Sequence, residues 1–196
     1  DITNDKTVGI VEIASAPAGH IAMLLEDWNF VALPFNQSIN KDNLLVNYGG
    51  TDYSWTEAVN NGYVSDFLFG WDRSGQSYSF TNALQPGYGY WLYAYVSCEL
   101  KAPIFQVNYD GYITEVEEDW NIIGIPNNAP VNKVDVLVNY AENDYSWADA
   151  VANGYISDFI FSWDPLVQSY SFSSSLDPGY CYWFYAYQVC TLKENN

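Results

Sequence analysis

From Tyr63 onward the apolar residues follow a period of two. Tyr63, Phe67, Phe69 and Trp71 fall on one side of an extended chain and Val64, Asp66, Leu68 and Asp72 on the other, which predicts a strand with one strongly apolar face. Arg73-Ser74-Gly75 then reads as a hairpin turn into a segment where Tyr78 and Phe80 alternate with serines, as in a half-buried strand. Pro86-Gly87 marks another turn. Beyond it Tyr90, Leu92 and Ala94 alternate with Trp91, Tyr93 and Tyr95, so neither face is polar and the strand is expected to be covered on both sides. One short helix interrupts the series: Ser54 and Glu57 have the spacing of a capping box, and Asn61-Gly62 supplies a left-handed stop.

The whole pattern occurs twice. Residues 19–101 align with residues 111–193 at a constant offset of 92, with 46 identities in 83 positions and no gap. All eight tryptophans pair off, Trp28 with Trp120, Trp55 with Trp147, Trp71 with Trp163 and Trp91 with Trp183. The helix signals recur at Ser146, Asp149 and Asn153-Gly154, and the leading segments 10–13 and 104–107 also correspond. The chain therefore divides into an N-terminal tail (1–7), a first module (8–101), a second module (102–193) and a C-terminal tail (194–196). No Gly/Ser/Pro-rich linker separates Lys101 from Phe105, so the modules are expected to touch. Aromatic and β-branched enrichment with frequent turn signals predicts a mainly β fold: two tandem, similar β-sandwich or partly open barrel modules, each with one short helix, packed against each other.

Charge narrows the partners. Six basic residues stand against 24 acidic ones, a formal net charge of −18, which repels nucleic acid and anionic lipid alike. No apolar run approaches the roughly 20 residues of a bilayer-spanning helix, so membrane insertion is not expected. The chain opens Asp1-Ile2-Thr3 with neither Met nor a basic-then-apolar leader, the look of a secreted chain after signal-peptide removal, and an extracellular or cell-surface location is expected. Three cysteines allow at most one intrachain bridge. Cys181 and Cys190 come within reach of each other if the chain between them turns back as a hairpin, and the equivalent residues Cys98 and Cys190 are the competing pair.

No nucleophile-elbow, zinc, phosphate-loop or dinucleotide signature occurs, and the sole histidine, His20, has Tyr112 as its counterpart. A catalytic residue is not expected. Asp66 and Asp72 share a strand face as a glycosidase pair might require geometrically, but Asp72 and Asp164 each open a hairpin, where Asp bonds the turn backbone. No cofactor is expected; a structural calcium at Asp52 and Asp144, beside Asn47 and Asn139, is the one metal site the sequence leaves open. Asn36-Gln37-Ser38 is a glycosylation sequon.

The aromatics are the sharpest signal, at 18% of the chain. Trp28, Phe67, Phe69, Trp71 and their counterparts are expected in the cores. Trp91, Tyr93, Tyr95, Trp183, Tyr185 and Tyr187 are expected between modules or subunits, or on a ligand surface together with Trp55 and Trp147. Trp28-Asn29 leading to Leu33-Pro34, the Trp71-Asp72 turn with Gln76-Ser77-Tyr78, and Pro86-Gly87-Tyr88-Gly89-Tyr90-Trp91 together resemble the tandem β-rich repeat modules of bacterial and archaeal secreted or surface proteins. The resemblance covers most of both copies and implies an extracellular β module without implying a reaction; Cys181 departs from it where the pattern has the Gly89 glycine. The function expected is a non-catalytic structural protein whose copies assemble into a filament, tube or surface layer, with a carbohydrate-binding module or adhesin as the alternative. Its partners are then further copies of itself, or glycans.

Overall fold

The computed structural model describes residues 19–103 and 110–195; the leading segments at 10–13 and 104–107 and the tail at 1–7 lie outside them. The first module contains Gly19–Leu24 (β1), Asp27–Ala32 (β2), Ile39–Asn40 (β3), Leu45–Tyr48 (β4), Thr51–Ser54 (β5), Trp55–Asn60 (α1), Val64–Asp72 (β6), Ser77–Thr81 (β7), Ala83–Leu84 (β8), Gly89–Ala94 (β9) and Cys98–Ala102 (β10). The second repeats them as Tyr112–Val116 (β11), Asp119–Gly124 (β12), Val131–Asn132 (β13), Val136–Tyr140 (β14), Asn143–Ser146 (β15), Trp147–Ala152 (α2), Ile156–Asp164 (β16), Ser169–Ser173 (β17), Ser175–Leu176 (β18), Cys181–Ala186 (β19) and Cys190–Glu194 (β20). Each module is an open sandwich of two four-stranded antiparallel sheets, ordered β1-β10-β4-β5 and β2-β9-β6-β7 in the first, β11-β20-β14-β15 and β12-β19-β16-β17 in the second, and each also has a two-stranded antiparallel sheet, β3-β8 or β13-β18. The sheets do not close into a barrel.

The local signals act as their chemistry requires. Ser54 accepts from the Glu57 N–H while the Glu57 carboxylate takes the Ser54 N–H, and Gly62 and Gly154 sit at φ +70°, where a side chain would be strained. Asp72 accepts from the N–H groups of Ser74 and Gly75, fixing the hairpin.

Mostly aliphatic side chains fill each module's core: Leu24, Val31, Val46, Leu68, Leu92 and Leu100 in the first, Val116, Ile123, Val138, Ile160 and Leu192, with Phe184, in the second. Full burial of such a side chain contributes about 1.5–3 kcal/mol. Trp55 and Trp147 lie in the same cores, only 1% and 4% exposed, with their indole N–H groups on Asp66 and Asp158 at 3.0 Å. This corrects their expected place on a ligand surface: each opens a helix and drops its ring between the sheets.

A second correction concerns the strand at 63–72. Its Val64, Leu68 side meets the module core, and the side carrying Phe67, Phe69 and Trp71 faces away, with Phe67 57% exposed. The register between β6 and β9 shifts between Val64 and Leu68, and the opposing sheet covers only the aliphatic side. The aromatic faces are thus left for the contact between modules, not for the two cores.

Candidate functional site

The modules meet around a pseudo-twofold axis where equivalent residues face each other. A β-carbon at Gly89 would sit 2.4 Å from both Cβ and Sγ of Cys181, and one at Gly124 would sit 2.2 Å from Cβ of Ala32. Position 89 is equivalent to 181 and position 32 to 124, so at each meeting point there is room for one side chain but not two. Phe30, Ala32, Trp91, Ile122 and Cys181 are buried there, with Phe69, Trp71, Trp163 and Trp183 packed around them. Trp91 and Trp183 thus lie in the cluster between the modules, on strands that are apolar on both faces.

Backbone groups complete the contact in matching pairs. Ala32 donates to the Gly179 carbonyl at 3.0 Å and Gly124 to the Gly87 carbonyl at 3.3 Å. Gly87 and Gly179 lie at φ +78° and +82° and press against the Ile113 and Ile21 carbonyls so closely that a β-carbon would clash with either. Trp71 donates its indole N–H to the Trp120 carbonyl, and Trp163 does the same to Trp28. The Gln76 amide forms two bonds with the Trp120 backbone, and Gln168 two with Trp28, so each glutamine stands in for a neighbouring strand's peptide group.

One element breaks the symmetry. Arg73, the chain's single arginine, is buried where its counterpart is Pro165. Its guanidinium reaches from the first module's hairpin to the Glu115 and Ile122 carbonyls and Thr114 Oγ1 of the second, and lies 3.8 Å from the centre of the Tyr88 ring. Its Nε has no hydrogen-bond partner. Burial lowers its pKa from the ordinary arginine value, and no carboxylate pairs with it among the described residues.

Beside this contact the aromatic faces leave two shallow, adjoining clefts that share Tyr170. The first, about 450 Å³, is walled by Trp28, Phe69, Tyr78 and Trp91 of one module and Trp163 and Tyr170 of the other. The second, about 380 Å³, is walled by Trp120, Phe161, Trp183 and Tyr170 with Trp71 reaching across. Both volumes suit a small organic ligand. The rings prop one another in edge-on contacts: Trp28 against Tyr93 at 5.2 Å, Trp91 against Trp163 at 5.0 Å, and Trp71 against Trp183 at 4.8 Å.

Trp28 and Trp120 are set by a knot in the backbone before them. The buried Asn29 side chain accepts from the Leu25 N–H and donates to the Leu25 and Asp27 carbonyls, and Asn121 makes the same set. Asp27 and Asp119 are thereby held at φ +84° and +78°, strained values that persist only where the surroundings fix them. The two rings stay 37% and 40% exposed. Their indole N–H groups donate to no described residue. Burial raises the Tyr78 and Tyr170 hydroxyl pKa values, so both are neutral donors at the cleft rims.

The remaining candidates are placed elsewhere. Tyr93 and Tyr185 bond Asp27 and Asp119, and the exposed Tyr95 and Tyr187, just past the strand ends, meet the Tyr93 and Tyr185 rings edge-on. Asp52 and Asp144 are each taken by a lysine, Lys101 and Lys193, and by Asn47 and Asn139. Among the described residues no group of three or more His, Cys, Asp or Glu side chains is placed to hold a metal. Asp66 accepts from Lys41 and Trp55, and its pKa, like that of Asp72 in its turn, is lowered, the wrong direction for a general acid. His20 bonds Glu99 on the surface.

All three cysteines are buried and free, which corrects both bridging schemes. After Ala186 the chain crosses to the other sheet instead of turning back, so Cys181 and Cys190 stand on strands of different sheets, and Cys98 and Cys190 lie in separate cores. Sequence reasoning missed the Arg73 wedge, the glutamine contacts and the exposure of Trp28; the available signals were a lone arginine opposite a proline and a glutamine retained in both hairpins. The chain matches no family model, no curated protein and no solved structure.

Proposed function

We propose that the protein is a non-catalytic binding protein whose two inter-module clefts hold the rings of a neutral saccharide chain. The observation that carries this reading is the pair of tryptophan-walled clefts, each with an exposed indole whose N–H is not used by the described residues. A pyranose presents an apolar C–H face for an aromatic ring and hydroxyls around its edge for indole and phenol groups. A chain of formal charge −18 disfavours anionic polysaccharides. Two clefts in one rigid pair also add avidity along a repeating polymer. An extracellular or cell-surface location accords with this reading.

Pull-down on a panel of insoluble neutral polysaccharides, including β-linked glucans, chitin and xylan, tests it. Wild type is retained on at least one, and the Trp28→Ala, Trp120→Ala double variant is released while its far-ultraviolet dichroism and melting remain cooperative. No retention on any member, or equal retention of the double variant, contradicts it.

A further inference from the structure

Strands β7 and β17 are the outer members of their sheets, and residues 77–80 and 169–172 are exposed on both faces. Among the described residues, the other outer strands of the four-stranded sheets are engaged or carry polar side chains. β2 and β12 are engaged by the partner module through the Val31–Tyr180 and Tyr88–Ile123 bridges and the glutamine contacts. β5, β15 and β11 carry the exposed Asp52, Asp144 and Glu115, while β1, which has no formally charged residue, carries the exposed His20 bonded to Glu99. Charges on an edge strand oppose pairing with another strand. β7 and β17 have none: in a chain of net charge −18, the run from Gln76 to Pro86 and the run from Leu166 to Leu176 contain no charged residue.

The two edges share the sequence Ser-Tyr-Ser-Phe, Ser77–Phe80 in one and Ser169–Phe172 in the other. This tetrapeptide is complementary to itself when run antiparallel. Setting Tyr78 opposite Phe172 of another copy, and Phe80 opposite Tyr170, places every aromatic on one face and every serine on the other, with Ser79 opposite Ser171. Aromatic pairs of that kind are favourable across antiparallel strands. Pairing would also satisfy the outward-pointing backbone groups that an edge leaves to water.

We infer that β7 and β17 are self-association edges, by which one copy of this chain adds its strand to the sheet of another. Each copy has two such edges, so the contact propagates instead of closing at a dimer, and copies join end to end into a filament. Negative charge elsewhere keeps copies apart except along these two strips. The inference rests on the strand edges and their charge, not on what the clefts bind.

Sedimentation velocity with electron microscopy of the purified full chain over a concentration series tests it, alongside Phe80→Glu, Phe172→Glu and the double variant. Both phenylalanines are 69% exposed and neither walls a cleft, so the fold tolerates the change, and cooperative melting checks this. Wild type is expected to grow beyond dimers with concentration, each single variant to stop at a dimer or below, and the double variant to remain a single chain. A wild type that stays monomeric at every concentration, or a double variant that assembles as wild type does, overturns the inference.

Discussion

Gly89 and Cys181, equivalent positions in the two modules, face each other at the pseudo-twofold axis, and the space between them admits a single side chain. Their difference therefore reflects packing at a shared point and not a reactive thiol peculiar to the second module. Ala32 and Gly124 obey the same constraint.

Gly89→Cys alone is expected to destabilise the chain by about 1–3 kcal/mol through overpacking, and Cys181→Gly by roughly 1–2 kcal/mol through the cavity it leaves. The double swap restores most of the loss, because it puts the same side chain into the same space from the other side. Urea denaturation of the four proteins measures this; strictly additive losses contradict the meeting point.

Arg73→Met is expected to cost roughly 2–4 kcal/mol, since it removes the charge-assisted bonds that tie the first module's hairpin to Glu115, Ile122 and Thr114 of the second. Arg73→Lys recovers little, because one ammonium cannot span Glu115, Ile122 and Thr114 together. Replacing Pro165, its counterpart on the other side, changes stability far less. Melting curves of the three variants give the order.

Trp55→Phe and Trp147→Phe are expected to lower the melting temperature while leaving retention on polysaccharide intact, because these rings are buried in the module cores. Trp28 and Trp120 variants behave the other way round. Binding lost together with Trp55 would move the site away from the clefts.

The three thiols are expected to resist alkylation in the native protein near neutral pH and to react after unfolding. Burial pushes Cys98 up to about 11 and Cys190 up to about 12, and raises Cys181 well above the ordinary thiol value, so the reactive thiolate is scarce. Mass spectrometry before and after denaturation counts the labels.

Asp66 and Asp158 are held below the usual carboxylate range by Lys41 and Lys133, with the buried tryptophans adding a hydrogen bond each. A depressed folded value means that their stabilisation is present above the unfolded value of about 3.9 and is lost as pH falls through the folded value. Both carboxylates are about half exposed, which keeps the effect small. Asp66→Asn and Asp158→Asn should therefore lower stability at neutral pH and converge with wild type in acid. A penalty that persists unchanged in acid contradicts the ionic origin.

The duplication, the strand and turn positions and the capped helices were legible in the sequence because they are local: Asp72, Gly62 and Ser54 act within a few residues of themselves. Which side of the strand at 64–72 faces the core was not legible. Phe69 and Trp71 look more buried by type than Val64 and Leu68, yet a second, aromatic interface exists only once the two modules are set face to face. The burial of Trp55 follows from the same limit, since a residue at the start of a short helix reads as exposed until the opposing sheet is in place. Arg73 was hidden inside an ordinary turn signal, because its partners, the Thr114 hydroxyl and the Glu115 and Ile122 carbonyls, lie 41, 42 and 49 residues further on.

Calorimetric titration with a short soluble oligosaccharide of the retained polysaccharide tests the assignment of the clefts most directly. Two molecules should bind per wild-type chain, one per cleft, falling to one in Trp28→Ala and to none in the Trp28→Ala, Trp120→Ala double variant. A stoichiometry that ignores both tryptophans, or the absence of binding heat with every neutral oligosaccharide tried, contradicts it.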